Sequence, residues 1–358
     1  MARPAQSLMR FRELTNEQRR QLIDAQQLYA NWREAARRFS HSYEGNYAGS
    51  MRWVKRAGVD YLYRNLKNTE RSLGRRSPET EAIKAEYTSQ RSRWRTRLRT
   101  MDTRLRQMAP VNRALRLGRM PTEAANIVRA LDEAGLLGRQ IVVVGTNALF
   151  AYEARAGVQF SRELVATGDA DFLWDARRRL GLAMAHVRTE GVIGILKKVD
   201  SSFSTGQMYG YSAVNDRGYI VELICPEASS LLHQDPKVSD AAGELTPMPI
   251  EGLEWLLNTP KIEEAVVAED GVPLQIACVD PRVFALHKLW LSRQPTRQPI
   301  KKPRDAAQAH AVAALCNSYF QLGFDSSDLS ALPSSIRSLK SELTDEAAGF
   351  LEATDTGW

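Results

Sequence analysis

Apolar residues Leu14, Leu22, Leu28 and Trp32 recur among charged neighbours, and that pattern predicts a helix over residues 8–40. Turn residues then crowd 42–58, including Glu44-Gly45-Asn46 and Gly49-Ser50, and the Tyr61-Leu62-Tyr63 cluster reads as a strand. Ser77-Pro78-Glu79-Thr80 carries proline where a first helical turn accepts it, so a second helix is expected from about 79 to 107. A third opens at Pro121-Thr122-Glu123, turns Ile127, Val128 and Leu131 inward, and stops at Gly135.

The pattern changes at Gln140. Ile141-Val-Val-Val144 is a buried-type strand that breaks at Gly145-Thr146, followed by a helix over 147–155. A polar loop leads to a strand over 169–174, and Arg177–Arg188 reads as a helix. Gly206–Val214 and Tyr219–Cys225 predict a hairpin around Asn215-Asp216-Arg217-Gly218. Beyond 230 the chain reads as mainly helical. Asp280-Pro281 opens one helix through Leu291, a basic proline-rich linker covers Arg293–Pro303, and another helix starts at Arg304. The fold class expected is α+β. A small mixed sheet in residues 121–230 would stand between a basic, mainly helical module in 1–120 and a mainly helical domain in 231–358.

Charge sharpens that division. Residues 1–120 hold 27 basic and 11 acidic residues, a net +16, while the rest of the chain is net −9. Arg91, Arg93, Arg95, Arg97, Arg99, Arg104 and Arg106 crowd one helix, wrapped around it, with Trp94 among them. Such density suits RNA or another polyanion. A solvated surface helix is the plainer reading of the same run. No apolar run approaches the roughly 20 residues that span a bilayer, and the N-terminus lacks the apolar stretch of a signal peptide. Cys225, Cys278 and Cys316 are odd in number and far apart. A cytoplasmic protein without a membrane partner is expected.

The chemistry concentrates at Asp169-Ala170-Asp171. Alternation along a strand puts both carboxylates on one face, where they repel each other and lose hydration unless a cation sits between them. Mg²⁺ accepts few protein carboxylates and completes its shell with water and phosphate oxygens. Glu222 lies in the apolar run Tyr219-Ile-Val-Glu-Leu-Ile-Cys225, a setting in which a charge needs a partner. Asp200 competes for the third position from a loop-like Val-Asp-Ser-Ser context. No His/Cys spacing supports zinc.

Strand, Gly145-Thr146, short helix, Asp169-x-Asp171 on the next strand and Glu222 on a later one together resemble the DNA polymerase beta superfamily of nucleotidyltransferases over about residues 140–225. Gly49-Ser-Met-Arg-Trp53, Tyr61-Leu-Tyr63, Ser72-Leu-Gly74 and Phe284-Ala-Leu-His-Lys-Leu289 with Arg304-Asp305 look like an uncharacterised bacterial branch. The lysine and Arg-Asp elements also look like those of abortive-infection toxin nucleotidyltransferases. The chain departs from the usual pattern in Thr146 for Ser, in the long interval from Gly145 to Asp169, and in Glu222 for Asp.

The resemblance implies transfer of NMP from an NTP to an acceptor hydroxyl with release of pyrophosphate. Asp169, Asp171 and Glu222 would be the catalytic metal ligands for Mg²⁺ (or Mn²⁺). Gly145, Thr146, Lys288 and Arg304 would contact the nucleotide. The acceptor stays open between RNA and protein, and it is the charge of residues 1–120, not the resemblance, that suits RNA or another polyanion there. A structural turn at Gly145, a solvated Lys288 and an Asp305 that only stabilises its helix start are the plainer alternatives. At the level of the whole chain, the alternatives are a nucleic-acid-binding protein with a degenerate core and an Asp-x-Asp glycosyltransferase.

Overall fold

The computed structural model describes residues 11–44, 49–66, 69–175, 177, 185–206, 210–227, 238–239 and 241–344. Strand β1 (Phe11–Glu13) leads into helix α1 (Asn16–Glu44). A three-stranded antiparallel meander follows: β2 (Ser50–Arg56), β3 (Val59–Leu66) and β4 (Thr69–Arg75). Helix α2 (Pro78–Ala114) starts as the sequence predicts. Proline occupies its first turn, and Ser77 and Thr80 exchange the paired hydrogen bonds of a capping box.

The body that carries the large sheet begins with α3 (Thr122–Glu133), which ends before the left-handed Gly135. Next come β5 (Ile141–Val144), a 3₁₀ turn (Gly145–Ala148), α4 (Leu149–Ala156), β6 (Val158–Phe160), α5 (Arg162–Val165) and β7 (Asp169–Trp174). Then follow α6 (Ala185–Val199), β8 (Ser204–Thr205), β9 (Ser212–Val214) and β10 (Ile220–Pro226). The helix expected over Arg177–Arg188 lies largely outside the described residues. The chain continues through β11 (Met248–Ile250), α7 (Leu253–Asn258), β12 (Lys261–Val267), β13 (Pro273–Val279), α8 (Pro281–Arg293) and α9 (Lys302–Leu315).

Eight of these strands form one mixed sheet in the order β12-β13-β5-β7-β10-β9-β8, with β11 beside β10. The α+β class is therefore observed. Strand β5 is buried along its whole length, as four consecutive apolar β-branched residues require of a central strand. The hairpin around Asn215 forms as read, since β9 pairs antiparallel with β10 and the Asn215 side chain accepts from the Arg217 and Tyr219 amides. The region after 230 departs from the helical expectation. β12 and β13 turn at Asp270-Gly271, and β13 docks parallel to β5, so the sheet crosses the division expected at residue 230. Burial on the sheet drives this: every residue of β13 is buried. The N-terminal module likewise holds a full meander between its two long helices.

Candidate functional site

Pairing register decides where the acids go. Parallel pairing of β7 with β10 sets Asp171 opposite Glu222 and Asp169 opposite Ile220. Cross-strand partners share a sheet face, and residues two apart on a strand share it too. Asp169, Asp171 and Glu222 therefore converge on one face, at the mouth of a cavity of about 520 Å³ that all three line. Asp200 is elsewhere. It pairs with Arg217 at 2.9 Å and accepts from the Ser202 and Asn215 side chains, which ties it to the β9–β10 turn.

The convergence raises the cost of ionising all three. Burial pushes the Asp171 carboxyl up to about 7, with repulsion from Asp169 and Glu222 adding to it and Lys288 and Lys301 partly opposing. Burial, and then Asp169, also raise Glu222. Among the described residues no three His, Cys, Asp or Glu side chains surround one point as a finished metal cage. The donor set is nevertheless all hard oxygen, anionic and mutually repelling. That composition fits Mg²⁺, which needs only one or two carboxylates and leaves the other positions to water and substrate oxygens.

Gly145 is constrained by the protein itself. Its φ is +63°, and a Cβ there would overlap the Asp171 carboxylate. It is the Asp171 side chain that requires glycine at this turn, and Gly145 does not line the cavity. Asn147, two residues on, donates its Nδ2 to the Asp169 carbonyl at 2.9 Å and so clamps the start of β7 to the turn. The Thr167 hydroxyl donates to the Asp169 carboxylate.

The opposite wall is cationic and comes from the C-terminal helices. Lys288 on α8, Arg297 and Lys301 in the α8–α9 connection and Arg304 on α9 all line the cavity. Lys288 is only 7% exposed, so the solvated reading does not hold. Its Nζ pairs with Asp305 at 2.7 Å, while burial lowers the ammonium's pKa against the pull of Asp305 and Asp171. Asp305 also accepts from Arg297 Nε at 2.7 Å. Burial works against its charge, but Lys288 and Arg297 outweigh it and hold the carboxyl below its ordinary value. Asp305 is thus a buried bridge between two cations and makes no cap for its helix.

Thr146 is equally well fixed. Its hydroxyl oxygen accepts from Arg304 Nη2 at 2.9 Å and from Gln308 Nε2 at 3.3 Å. Arg304 is braced further by Nη1 on the Ala166 carbonyl at 3.0 Å. A hydroxyl has a single proton, and with both acceptor positions filled the Thr146 proton is left to donate. Sequence reasoning named Lys288, Arg304 and Thr146 but missed Arg297, Lys301, Thr167 and Gln308. The one available signal was basic density in the short Arg293–Pro303 connection.

Next to Lys288 in the chain, His287 is half-buried, with its shielded Nε2 lacking a hydrogen-bond partner among the described residues. Burial, with the adjacent Lys288 charge, lowers its pKa to about 4, so the ring is neutral at physiological pH. Its ring packs against that of Trp290, with centroids 5.7 Å apart.

Among the described residues no helix is long and apolar enough to cross a membrane, and all three cysteines are buried and free. No curated protein and no solved structure matches the chain. A family model described as nucleotidyltransferase matches residues 122–333, more than half of the 358 residues and the whole span that carries the acids and the cationic wall. The chain belongs to this nucleotidyltransferase family.

Proposed function

We propose that the protein is an Mg²⁺-dependent (or Mn²⁺-dependent) nucleotidyltransferase of the polymerase beta type. It transfers NMP from an NTP to an acceptor hydroxyl and releases pyrophosphate. One observation carries the reading: three carboxylates on the β7–β10 face look across one cavity at four cationic side chains. A polyanion that brings a divalent cation satisfies both walls at once, and an NTP is such a ligand.

Asp169 and Asp171 would hold the ion on the triphosphate, and Glu222 would join them at a second ion nearer the acceptor. A bound ion neutralises phosphate charge and favours ionisation of the acceptor hydroxyl. The protein's own part is to bind and orient. Arg297 and Arg304 present planar forks suited to phosphate oxygens, and Lys288 and Lys301 add point charges. Thr146 donates its remaining proton from a fixed position. Asp305 positions Lys288 and Arg297 and touches no substrate.

An α-labelled set of the four NTPs, incubated with the protein, Mg²⁺ or Mn²⁺, and either total RNA or total protein, tests the reading. Label should move from one or more NTPs to an acceptor. Transfer should fall by about a thousandfold or more in Asp169→Asn and in Asp171→Asn. Equal transfer by both variants and the wild type would reject the assignment of these acids.

A further inference from the structure

The basic module carries a surface that the cavity does not use. In the meander, Leu62 is fully buried, and its cross-strand neighbour Trp53 lies under Arg76 and Lys84 of the α2 side. Tyr61 and Tyr63 alternate with Leu62 and therefore stand on the outer face. Both are half-buried. The Arg56 guanidinium sits 5.1 Å from the centre of the Tyr63 ring, and that of Arg75 sits 5.9 Å from the Tyr61 ring. Two aromatic rings one strand repeat apart, about 6.8 Å, each with a guanidinium over it, make a platform of rings and guanidinium planes on which flat ligands stack.

Helix α2 supplies the charge. Arg93, Arg97 and Arg104 fall in one row and Arg95, Arg99 and Arg106 in another, on either side of the line that buries Tyr87, Leu105 and Ala109. Arg106 pairs with Asp102 at 2.9 Å. Among the described residues Arg93, Arg95, Arg97, Arg99 and Arg104 have no carboxylate partner. The only ring contact there is Arg97 on Trp94, at 5.5 Å. Five unneutralised guanidiniums in so short a span are costly through mutual repulsion, and an extended chain of phosphates relieves that.

The arm is joined firmly to the catalytic sheet. Asn112 Nδ2 donates to the Gly271 carbonyl at 2.8 Å, and the Gly271 backbone lies so close to Ala109 that a Cβ would overlap it. From Ala109 back to Tyr87, where the meander packs, the helix runs roughly 33 Å. A ligand held on the meander and along α2 is therefore held at a fixed place relative to the β12–β13 turn of the same sheet.

We propose that the outer face of the β2–β4 meander and the arginine rows of α2 bind a single-stranded polynucleotide, which supplies the acceptor hydroxyl. Bases stack on Tyr61 and Tyr63, and phosphates lie along the arginines. A duplex cannot offer its bases to the tyrosines, and an acidic peptide has charge but no stacking faces. The acceptor role rests on the transferase reading; strand binding does not.

Fluorescence anisotropy with the full chain, without NTP, tests this using labelled single-stranded RNA and DNA of about 20 nucleotides. At least one strand should bind, about tenfold or more tighter than a duplex of equal length, poly-glutamate or polyphosphate. Whichever of RNA and DNA binds tighter identifies the acceptor's sugar. Tyr61→Leu/Tyr63→Leu should weaken binding about tenfold or more, whereas Tyr61→Phe/Tyr63→Phe keeps the rings and should keep affinity. Arg93→Gln/Arg95→Gln/Arg97→Gln/Arg99→Gln should flatten the salt dependence by about 0.7 in log–log slope for each phosphate that is no longer neutralised. Polyphosphate or poly-glutamate binding as tightly as the strands, or wild-type affinity in the leucine pair, would overturn the proposal. Strand binding that survives a failed transfer assay sinks only the transferase reading, and transfer without strand binding sinks only this one.

Discussion

Lys288 and Arg95 are both basic residues on long helices, but their surroundings are opposite. Lys288 is buried, paired with Asp305, and held within the field of Asp171. Arg95 is exposed on α2 and has no carboxylate near it among the described residues. The same contrast holds for the two regions as wholes. The cavity fixes Lys288, Arg297 and Arg304 with protein partners before any ligand arrives, a preorganised arrangement for one small polyanion. Helix α2 leaves Arg93, Arg95, Arg97, Arg99 and Arg104 without a carboxylate partner among the described residues, an arrangement that attracts any extended anion and depends on salt. Net positive charge alone does not distinguish these two uses; burial and pairing do.

The strongest way to break the comparison is to remove the partner that makes the cavity's buried cations tolerable. Asp305→Ala strands the buried Lys288 next to the half-buried Arg297. A loss of about 3–5 kcal/mol in urea unfolding is expected, because an uncompensated buried charge costs far more than a surface pair yields. Lys288→Met/Asp305→Leu removes both charges of the closest pair and should recover most of that stability while abolishing transfer. A change below about 1 kcal/mol in Asp305→Ala would mean that the bridge is structurally idle.

Asp171 gives a smaller effect of opposite sign. Its carboxyl is raised from 3.8 to about 7 in the folded protein. Between those values the folded state holds a proton that the unfolded chain has released, so stability falls as pH rises through this window and levels off above it. Asp171→Asn should therefore stabilise the metal-free protein at pH 8, on the order of 1–2 kcal/mol once contact with cavity solvent is discounted. The gain should vanish near pH 4. Added Mg²⁺ should stabilise the wild type more than the variant. Thermal melts at three pH values, with and without Mg²⁺, read all of this. Equal melting of the two proteins at pH 8 would show that the acids do not strain one another.

These two sites also mark what the sequence could disclose. Asp169, Asp171 and Glu222 were legible because strand alternation is strictly local, and a single parallel pairing then brings the third acid beside the other two. The hairpin at Asn215 was legible because its turn chemistry lies within four residues. Strand β13 was not, since nothing near residue 275 says that β5, about 130 residues earlier in the chain, will lie beside it. Asp305 was read as a helix-start charge because its partners, Lys288 and Arg297, sit on another helix and in a linker. Gly145 was assigned to a phosphate, whereas the nearby obstruction is the side chain of Asp171, 26 positions later and visible only once β5 and β7 pair.

The smallest expected effect completes the contrast. Arg95→Gln/Arg99→Gln deletes two charges that stand among other arginines and pair with no described acid. Glutamine propagates a helix about as well as arginine, so intrinsic propensity is unchanged. Relief of repulsion among neighbouring guanidiniums is screened within about 8–10 Å at ordinary salt. The unfolding free energy should therefore move by less than about 0.5 kcal/mol, in either direction, in a urea titration at about 0.15 M salt. If it drops by about 2 kcal/mol or more, these arginines hold the fold together, and the division between a self-paired cavity and an unpaired arm fails. If it rises clearly at low salt and flattens at high salt, the arm is electrostatically strained in the absence of ligand. That strain is what a surface reserved for a polyanion, and neutralised only on binding, should show.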